Sequence, residues 1–483
     1  MALSAATVWE VRSDGSDNNG GGYKTGASGT DYTQQAAAQK GSTDLAIHAS
    51  DNTKVQPVAA GVAAADIGNI VQITAGSGFT TGFYEITAQD GTYWTLDRAA
   101  GTVGSTGGTY AMGGALATLP KIAGTTPVAI SGNTIYLKNG TYTLTSTWTI
   151  GVDGDVTNGD VWIVGYNTTR TRTNTDATRP LITSATNSVV LLSMTAINYL
   201  RVVNVHFTHT AVTRGIGISG VTTAGIKLTI LRCLFDGCSQ AMDFGSRGCT
   251  PLGVYFCEIK NCTSTGGAIG IGDNTVVSVA YCYIHDNAGI GIGGAASSLV
   301  RCLIAGNIFD TNSYGIRDTT TTRAQTYDII GNTFYNSTND HIELDGSGSG
   351  GSMSLNITNN IFYTCGGYDV QVLDGANETN ALVHHVNYNA YNSGSSGIYS
   401  NLNTGPNDVT LTGNPFVDAA NGNFALNTTA GAGAAARAVA APGLFPGGLT
   451  QSYLDIGAVQ HADPVGGGGG LLAHAGMSGG LNG

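Results

Sequence analysis

From Cys233 onward, apolar and small polar positions return in a fixed order. A Cys or Asn is followed two residues later by an aromatic residue or Ile, and five residues later by another small polar residue or Cys. The anchors are Cys233, Cys257, Cys282, Asn307, Asn332, Asn360 and Asn389, at steps of 24, 25, 25, 25, 28 and 29 residues. Phe235, Ile259, Ile284, Phe309, Phe334, Phe362 and Tyr391 fill the second column. Cys238, Cys262, Asn287, Asn312, Ser337, Cys365 and Gly394 fill the third. A period near 25 is too short for two packed helices or a four-stranded propeller blade. It suits one coil of stacked parallel strands, with each coil hydrogen-bonded to the next about 4.8 Å away. Like residues then stack on like. The Phe/Ile column fills the interior, and Asn sits at a bend where its amide can bond the same amide one coil on. Cys shares that column as a compact buried residue.

Alternation upstream extends the pattern. The stretch NTIYLKNGTYTL at 133–144 reads as a first coil, and VWIVGYN, SVVLLSM and YLRVVNVHF follow as strands. Before Asn133, VQITAGSGFTTGFYEITAQDGTYWTLDRAAG reads as strand, turn, strand, turn, strand, a small antiparallel module. DYTQQAAAQK at 31–40 predicts a short helix that could plug the open end of the stack. NPFVDAANGNFAL and YLDIGAVQH read as a closing segment. The Gly-rich end, PVGGGGGLLAHAGMSGGLNG, reads as a tail that orders on a partner. The predicted divisions are a cap region with the module over 1–132, the coils over 133–412, the closing segment over 413–464 and a docking tail over 465–483.

Composition agrees with an all-β chain. Charged residues are 11% of 483, and Gly is 72, where a helical protein would be rich in Glu, Lys and Leu. The net charge of −12 and the absence of a basic cluster exclude nucleic acid as an expected partner. No apolar run is long enough to span a bilayer, and no membrane partner is expected. The N-terminus has no basic start followed by an apolar block, so the expected place of synthesis is a host cytoplasm without secretion. The eight cysteines then read as buried thiols rather than disulfides. No CxxC pair occurs, so no metal and no cofactor are expected. GIGIGG at Gly289 has the glycines of a dinucleotide loop but no following helix.

The phrases IYLKNGTY, GNTFYN, NNIFYTC and NPFVDAANGNFAL…DIGAVQ resemble the right-handed parallel β-helix superfamily, the pectin lyase-like fold, over roughly 133–461. The N-terminal VWEVRSDGSDNNGGGY, with the β module and Gly-rich tail, is similar to β-helix virion proteins of tailed phages. The first resemblance implies polysaccharide lyases and hydrolases or non-enzymatic shafts. The second implies a capsid decoration, spike or fibre, commonly trimeric. Fold alone does not choose between them.

Aligning the small-Ile-x-Ile strands places Asp243, Gly270, Gly291, Arg317, Glu343, Gln371 and Tyr399 in one outward column, with Asp345 two residues on and Asp318 nearby. A glycoside hydrolase would use Glu343 with Asp345, or with Asp318, as its carboxylate pair. A lyase would use Arg317 as a base. Asp318, Gln371 and Tyr399 are the candidate substrate-binding residues. A salt-bridge ladder or subunit contact is the structural alternative. His285-Asp286 and His341 also neighbour acids, and a His-Asp pair on an outer bend is ordinarily solvated. The expected function is a structural virion protein with a β-helix shaft, homotrimeric, docked through its tail to other virion proteins and able to meet host surface polysaccharide. The alternative is a polysaccharide depolymerase.

Overall fold

The computed structural model describes residues 3–194, 197–220, 226–244, 249–272, 276–294, 300–319, 325–345, 353–373, 383–441 and 454–460. The chain is all-β and divides into two compact units, one built from 1–183 and 192–206, the other from 184–191 and 207–483. The docking tail expected over 465–483 lies outside the described residues.

In the first unit, Thr7–Val11, Thr134–Lys138, Val161–Tyr166 and Leu200–Val203 pair in parallel. Thr134–Lys138 and Thr141–Thr143 are the strands expected from NTIYLKNGTYTL. The antiparallel module is present and larger than the three expected strands. Six strands between Lys40 and Met112 close into a barrel around Trp94, Tyr84 and Leu45. The helix expected over 31–40 does not form; the stretch runs through turns and bends. Its carbonyls bond elsewhere: Tyr32 and Gln35 accept from the amides of Gly114 and Ala115, and Ala36 accepts from Asn19. Asp31 instead holds Thr33 through both its amide and its hydroxyl, at 2.9 and 2.6 Å.

The second unit is a stack of coils, each with three short strands that pair in parallel with the same strands of the next coil. One sheet runs from Ile226–Leu231 to Val383–Asn387, the second from Leu234–Asp236 to Val409–Thr410, and the third from Ile218–Gly220 to Gly397–Ser400. The second column of the repeat holds in register through every step: Phe235 faces Ile259, then Ile284, Phe309, Phe334, Phe362 and Tyr391. Phe309, Phe334 and Phe362 are fully buried, with ring centroids 4.7 and 5.1 Å apart. Phe207 extends the stack, 5.0 Å from Phe235.

The bends carry the anchors. The residue before each anchor is left-handed: Arg232, Phe256, Tyr281, Gly306, Gly331, Asn359 and Tyr388 all have φ between 54 and 65°. That conformation turns the chain but disfavours a Cβ, so something must hold it. The anchor amide does. Asn332 Nδ2 donates to Asn360 Oδ1 at 3.0 Å and to the Ile304 carbonyl at 2.9 Å. Its Oδ1 accepts from Asn307 Nδ2 at 3.0 Å and from the Asn307 amide at 2.9 Å. All four hydrogen-bonding positions of a buried side chain are filled. Asn307, Asn332, Asn360 and Asn389 form one such ladder, with Asp408 accepting from the Asn389 amide at its end. Asn287 and Asn312 form a second, at 2.9 Å.

Cysteine occupies the same columns because its thiol can serve one arm of the same pattern. Cys257 and Cys282 point Sγ at the carbonyls of Ile230 and Val254, as Asn332 points Nδ2 at Ile304. The seven cysteines whose side chains are described are free and buried, including Cys233, Cys257 and Cys282. The C-terminal segment packs Phe416, Phe424, Leu426 and Ile456 with Tyr283, Ile308 and Ile361 in a separate buried cluster.

Truncating Phe334 to Ala should lower stability by about 3–5 kcal/mol, as for other buried Phe residues. Chemical denaturation measures this, and an unchanged midpoint would contradict the stacking. Thiol titration in denaturant without reductant should find at least the seven free cysteines; finding none would contradict the buried-thiol assignment.

Candidate functional site

The outward column of the third sheet can now be read from its register. Asp243 faces Gly270, Gly270 faces Gly293, and Arg317, Glu343, Gln371 and Ser400 follow. Two expected members are displaced. Gly291 stands two residues before the column. Tyr399 stands one residue before it, opposite Val370, and donates its hydroxyl to Asp408 at 3.2 Å. Tyr399 therefore braces the end of the Asn ladder and does not face the strip.

Asp318 is also corrected. It lies opposite Gly294 and Leu344, on the inward phase of the strand, and is 1% exposed. Tyr327 donates its hydroxyl to it, and Gln325 its amide at 3.1 Å. A Cβ on Gly294 would come within 2.7 Å of the Asp318 carboxyl, so the glycine leaves room for this interior acceptor. Alternation along a strand sends 316 and 318 inward when 317 faces out.

Arg317 and Glu343 do meet. Nε donates to Oε1 at 2.5 Å, and the guanidinium lies 4.6 Å over the Tyr314 ring. Beneath this lid Glu343 is buried although it points outward. Asp340, at the corner before Glu343, lies beside the Glu343 carboxyl and accepts from the Tyr368 amide. Burial, with Glu343 beside it, raises the Asp340 carboxyl above its usual range despite the Tyr368 amide. Burial also pulls Arg317 down, but the Glu343 hydrogen bond overrides it and holds the guanidinium above its ordinary value. Gln371 is half-buried one coil on, and Asp345 is half-buried two residues along the Glu343 strand. Sequence reasoning missed Tyr314 and Asp340, which sit at corners outside the alternating strand pattern.

This arrangement is closed rather than poised. An arginine base must release a proton, and the Glu343 bond opposes that. Asp340 lies beside Glu343, and each carboxyl raises the cost of ionising its neighbour. Glycoside hydrolysis needs carboxyls about 5–5.5 Å or 6.5–9.5 Å apart. Asp345 is the remaining partner, with its Cα about 6.7 Å from that of Glu343 by strand geometry. Two shallow concavities of 260 and 390 Å³ lie in the first unit, lined by Thr7 and Arg172 and by Thr118 and Trp148 among others, and neither contains a carboxylate.

A second polar group surrounds His285, which is buried and not solvated as expected. The Tyr283 ring stacks on it at 3.9 Å, while Nδ1 meets Asp286 at 2.7 Å and Nε2 meets Glu258 at 3.4 Å. Lys260 pairs with Glu258 at 2.7 Å. Burial works against the Glu258 carboxylate, but the His285 and Lys260 bonds dominate and hold it down at about 2. Tyr283 donates its hydroxyl to Asp310 at 2.9 Å, which ties the group to the next coil.

No family model matches the chain, and no curated protein matches it in sequence. Among solved structures it is similar to pectate lyase Pel9A, with 14% identity and a TM-score of 0.44 over 69% of this chain and 89% of that one. It is also similar to the catalytic domain of a GH87 alpha-1,3-glucanase in complex with tetrasaccharides, with 9% identity and a TM-score of 0.26 over 82% of this chain and 92% of that one. The same catalytic domain in complex with nigerose gives 11% identity and a TM-score of 0.24 over 77% and 78%. None of these bears on chemistry at such identities and scores. The β-helical architecture rests on the registers of this chain.

Because Glu258 binds its proton less readily folded than unfolded, the unfolded chain takes up more protons as pH falls from 4.5 toward 2. Stability contributed by Glu258 is present above that window and lost through it. Urea midpoints at about pH 5 and about pH 3 should fall less in Glu258→Gln than in the wild type. Equal falls would contradict the His285–Glu258–Lys260 assignment.

Proposed function

We propose that this protein is a non-enzymatic structural component of a tailed-phage particle, a β-helical shaft serving as capsid decoration, spike or fibre. The observation that carries the non-enzymatic part is the Arg317–Glu343 pair, closed at 2.5 Å under the Tyr314 ring with Asp340 beside it. The best outward cluster of charge spends its groups on each other. The phage-particle part is supported by the resemblance of the N-terminal stretch, together with the β module and the Gly-rich tail. In this reading the chain is made in the host cytoplasm, and the tail joins it to other virion proteins.

The homotrimer is part of the same proposal. Gly270, half-buried, is a small position of the outward column before Arg317, whereas Gly293 is buried against the chain's own Gly266 and Gly267. A neighbouring subunit, or a host surface polysaccharide without cleavage, would lie along that column.

One observation favours the second reading, a polysaccharide depolymerase. Glu343 and Asp345 stand two residues apart on one strand and so share a face, as a carboxylate pair would. The assay that separates the readings is incubation of the purified chain with capsular and pectic polysaccharides, scoring new reducing or unsaturated ends. No new ends are expected. New ends abolished by Glu343→Gln or Asp345→Asn, with mass and melting point retained, would overturn the structural reading. Light scattering at micromolar concentration should return a trimer mass, reduced in Glu343→Gln if the strip is a subunit contact. A clean wild-type monomer mass would contradict the assembly.

A further inference from the structure

We propose that His341, Cys365 and Asp369 form a buried site for one transition-metal ion of the zinc class, held inside the coil stack. The three residues come from adjacent coils of the second unit. Cys365 faces Ser337 in register, His341 lies at the corner four residues after Ser337, and Asp369 is buried at the start of Tyr368–Leu373. Their ligand atoms all lie within 4.8 Å of one another. Cys365 Sγ is 3.7 Å and His341 Nε2 is 3.9 Å from Asp369 Oδ1.

These distances separate two explanations. A neutral acid hydrogen-bonded to an imidazole would bring oxygen and nitrogen to about 2.7–3.2 Å. At 3.9 Å the Asp369–His341 contact is too long for that. Donors around one tetrahedral zinc, with bonds of about 2.0–2.3 Å, stand about 3.3–3.8 Å apart. The two distances to Asp369 are within a few tenths of an ångström of that spacing, and the third pair, within 4.8 Å, would close further around an ion.

Polar satisfaction points the same way. His341 and Asp369 are both 0% exposed, yet His341 Nε2 and Asp369 Oδ2 have no hydrogen-bond partner. The Tyr363 carbonyl neighbours His341 and the Gly394 amide neighbours Asp369, without completing either atom. The other imidazole nitrogen, Nδ1, is paired with Ser337 Oγ at 2.8 Å. A hydroxyl there can fix the tautomer that leaves the Nε2 lone pair facing inward, the usual partner arrangement behind a ligand histidine. Phe334 and Phe362 flank the imidazole at 5.8 and 6.0 Å and keep the site dry.

The donor types select the metal. Thiolate, imidazole and one carboxylate suit zinc or cobalt, whereas calcium and magnesium take oxygen ligands. Binding would release the Cys365 thiol proton and the Asp369 carboxyl proton to solvent as the two ligands ionise. A fourth donor would be a water or a backbone oxygen; the Gly367 carbonyl is already 3.4 Å from Sγ. The absence of CxxC does not bear on such a site, because these ligands are brought together by coil closure.

The test uses the full chain expressed in minimal medium with zinc or cobalt and purified through EDTA. About one ion per chain is expected to remain, with a thiolate-to-cobalt charge-transfer band in the near ultraviolet. Both should be lost in Cys365→Ser and in Asp369→Asn, and kept in Cys302→Ser. Folded wild-type protein without metal after both supplements would overturn the proposal, as would an ion and band retained in Cys365→Ser and Asp369→Asn. If those variants do not fold, the wild-type stoichiometry and band decide alone.

Discussion

The coil stack depends on what happens at its bends. Each coil must turn through a left-handed residue, and in this chain those residues include Arg232, Phe256, Tyr281 and Tyr388, which gain nothing from that conformation. A bend also takes a backbone amide out of the strand ladder and buries it. From the Tyr281 bend to the Asn359 bend, the Asn side chain of the next coil solves both problems together. Asn360 Oδ1 accepts the Asn332 amide at 2.9 Å, and Asn389 Oδ1 accepts the Asn360 amide at 3.0 Å. Every rung repairs the bend of the coil before it. The strand registers, the Phe stack and the placement of every outward side chain follow from that spacing. An unmade bond of this kind would leave a buried donor, at about 1–3 kcal/mol each.

This is why so much of the fold was legible in the sequence. Interior and bend positions tolerate few residue types, so Asn332, Phe334 and Ser337 return in every coil as an anchor, an apolar residue and a small polar one. Outward positions are under no such constraint, and there the alignment slipped. GIGIGG repeats itself at a shift of two, so Gly291 and Gly293 are indistinguishable until Arg317 is seen to face Gly293. Tyr399 and Ser400 differ by one residue in a coil whose step changes from 28 to 29. Asp318 was misplaced although strand alternation alone sends it inward. The helix at 31–40 failed for a different reason: local propensity favoured it, and tertiary bonds to Gly114 and Ala115 took its carbonyls.

The candidate sites were the least legible, because they are made at corners. Tyr314, Asp340 and Tyr368 flank Arg317 and Glu343 only once three coils are stacked. His341, Cys365 and Asp369 converge by the same closure. The two groups differ in kind. In the outward one, Arg317 and Glu343 satisfy one another beneath the Tyr314 ring. In the inner one, a dry set of donors leaves two polar atoms without bonds, which is the condition that invites an ion.

The most direct test of this account is a double-mutant cycle on the ladder. Asn332→Ala and Asn360→Ala remove adjacent rungs, and Asn307→Ala and Asn389→Ala remove rungs three coils apart, roughly 14 Å. The account predicts an interaction energy of about 0.5–3 kcal/mol for the adjacent pair and additivity within about 0.5 kcal/mol for the distant pair. Additive effects at Asn332 and Asn360 would contradict it, since each would then be holding its own bend alone.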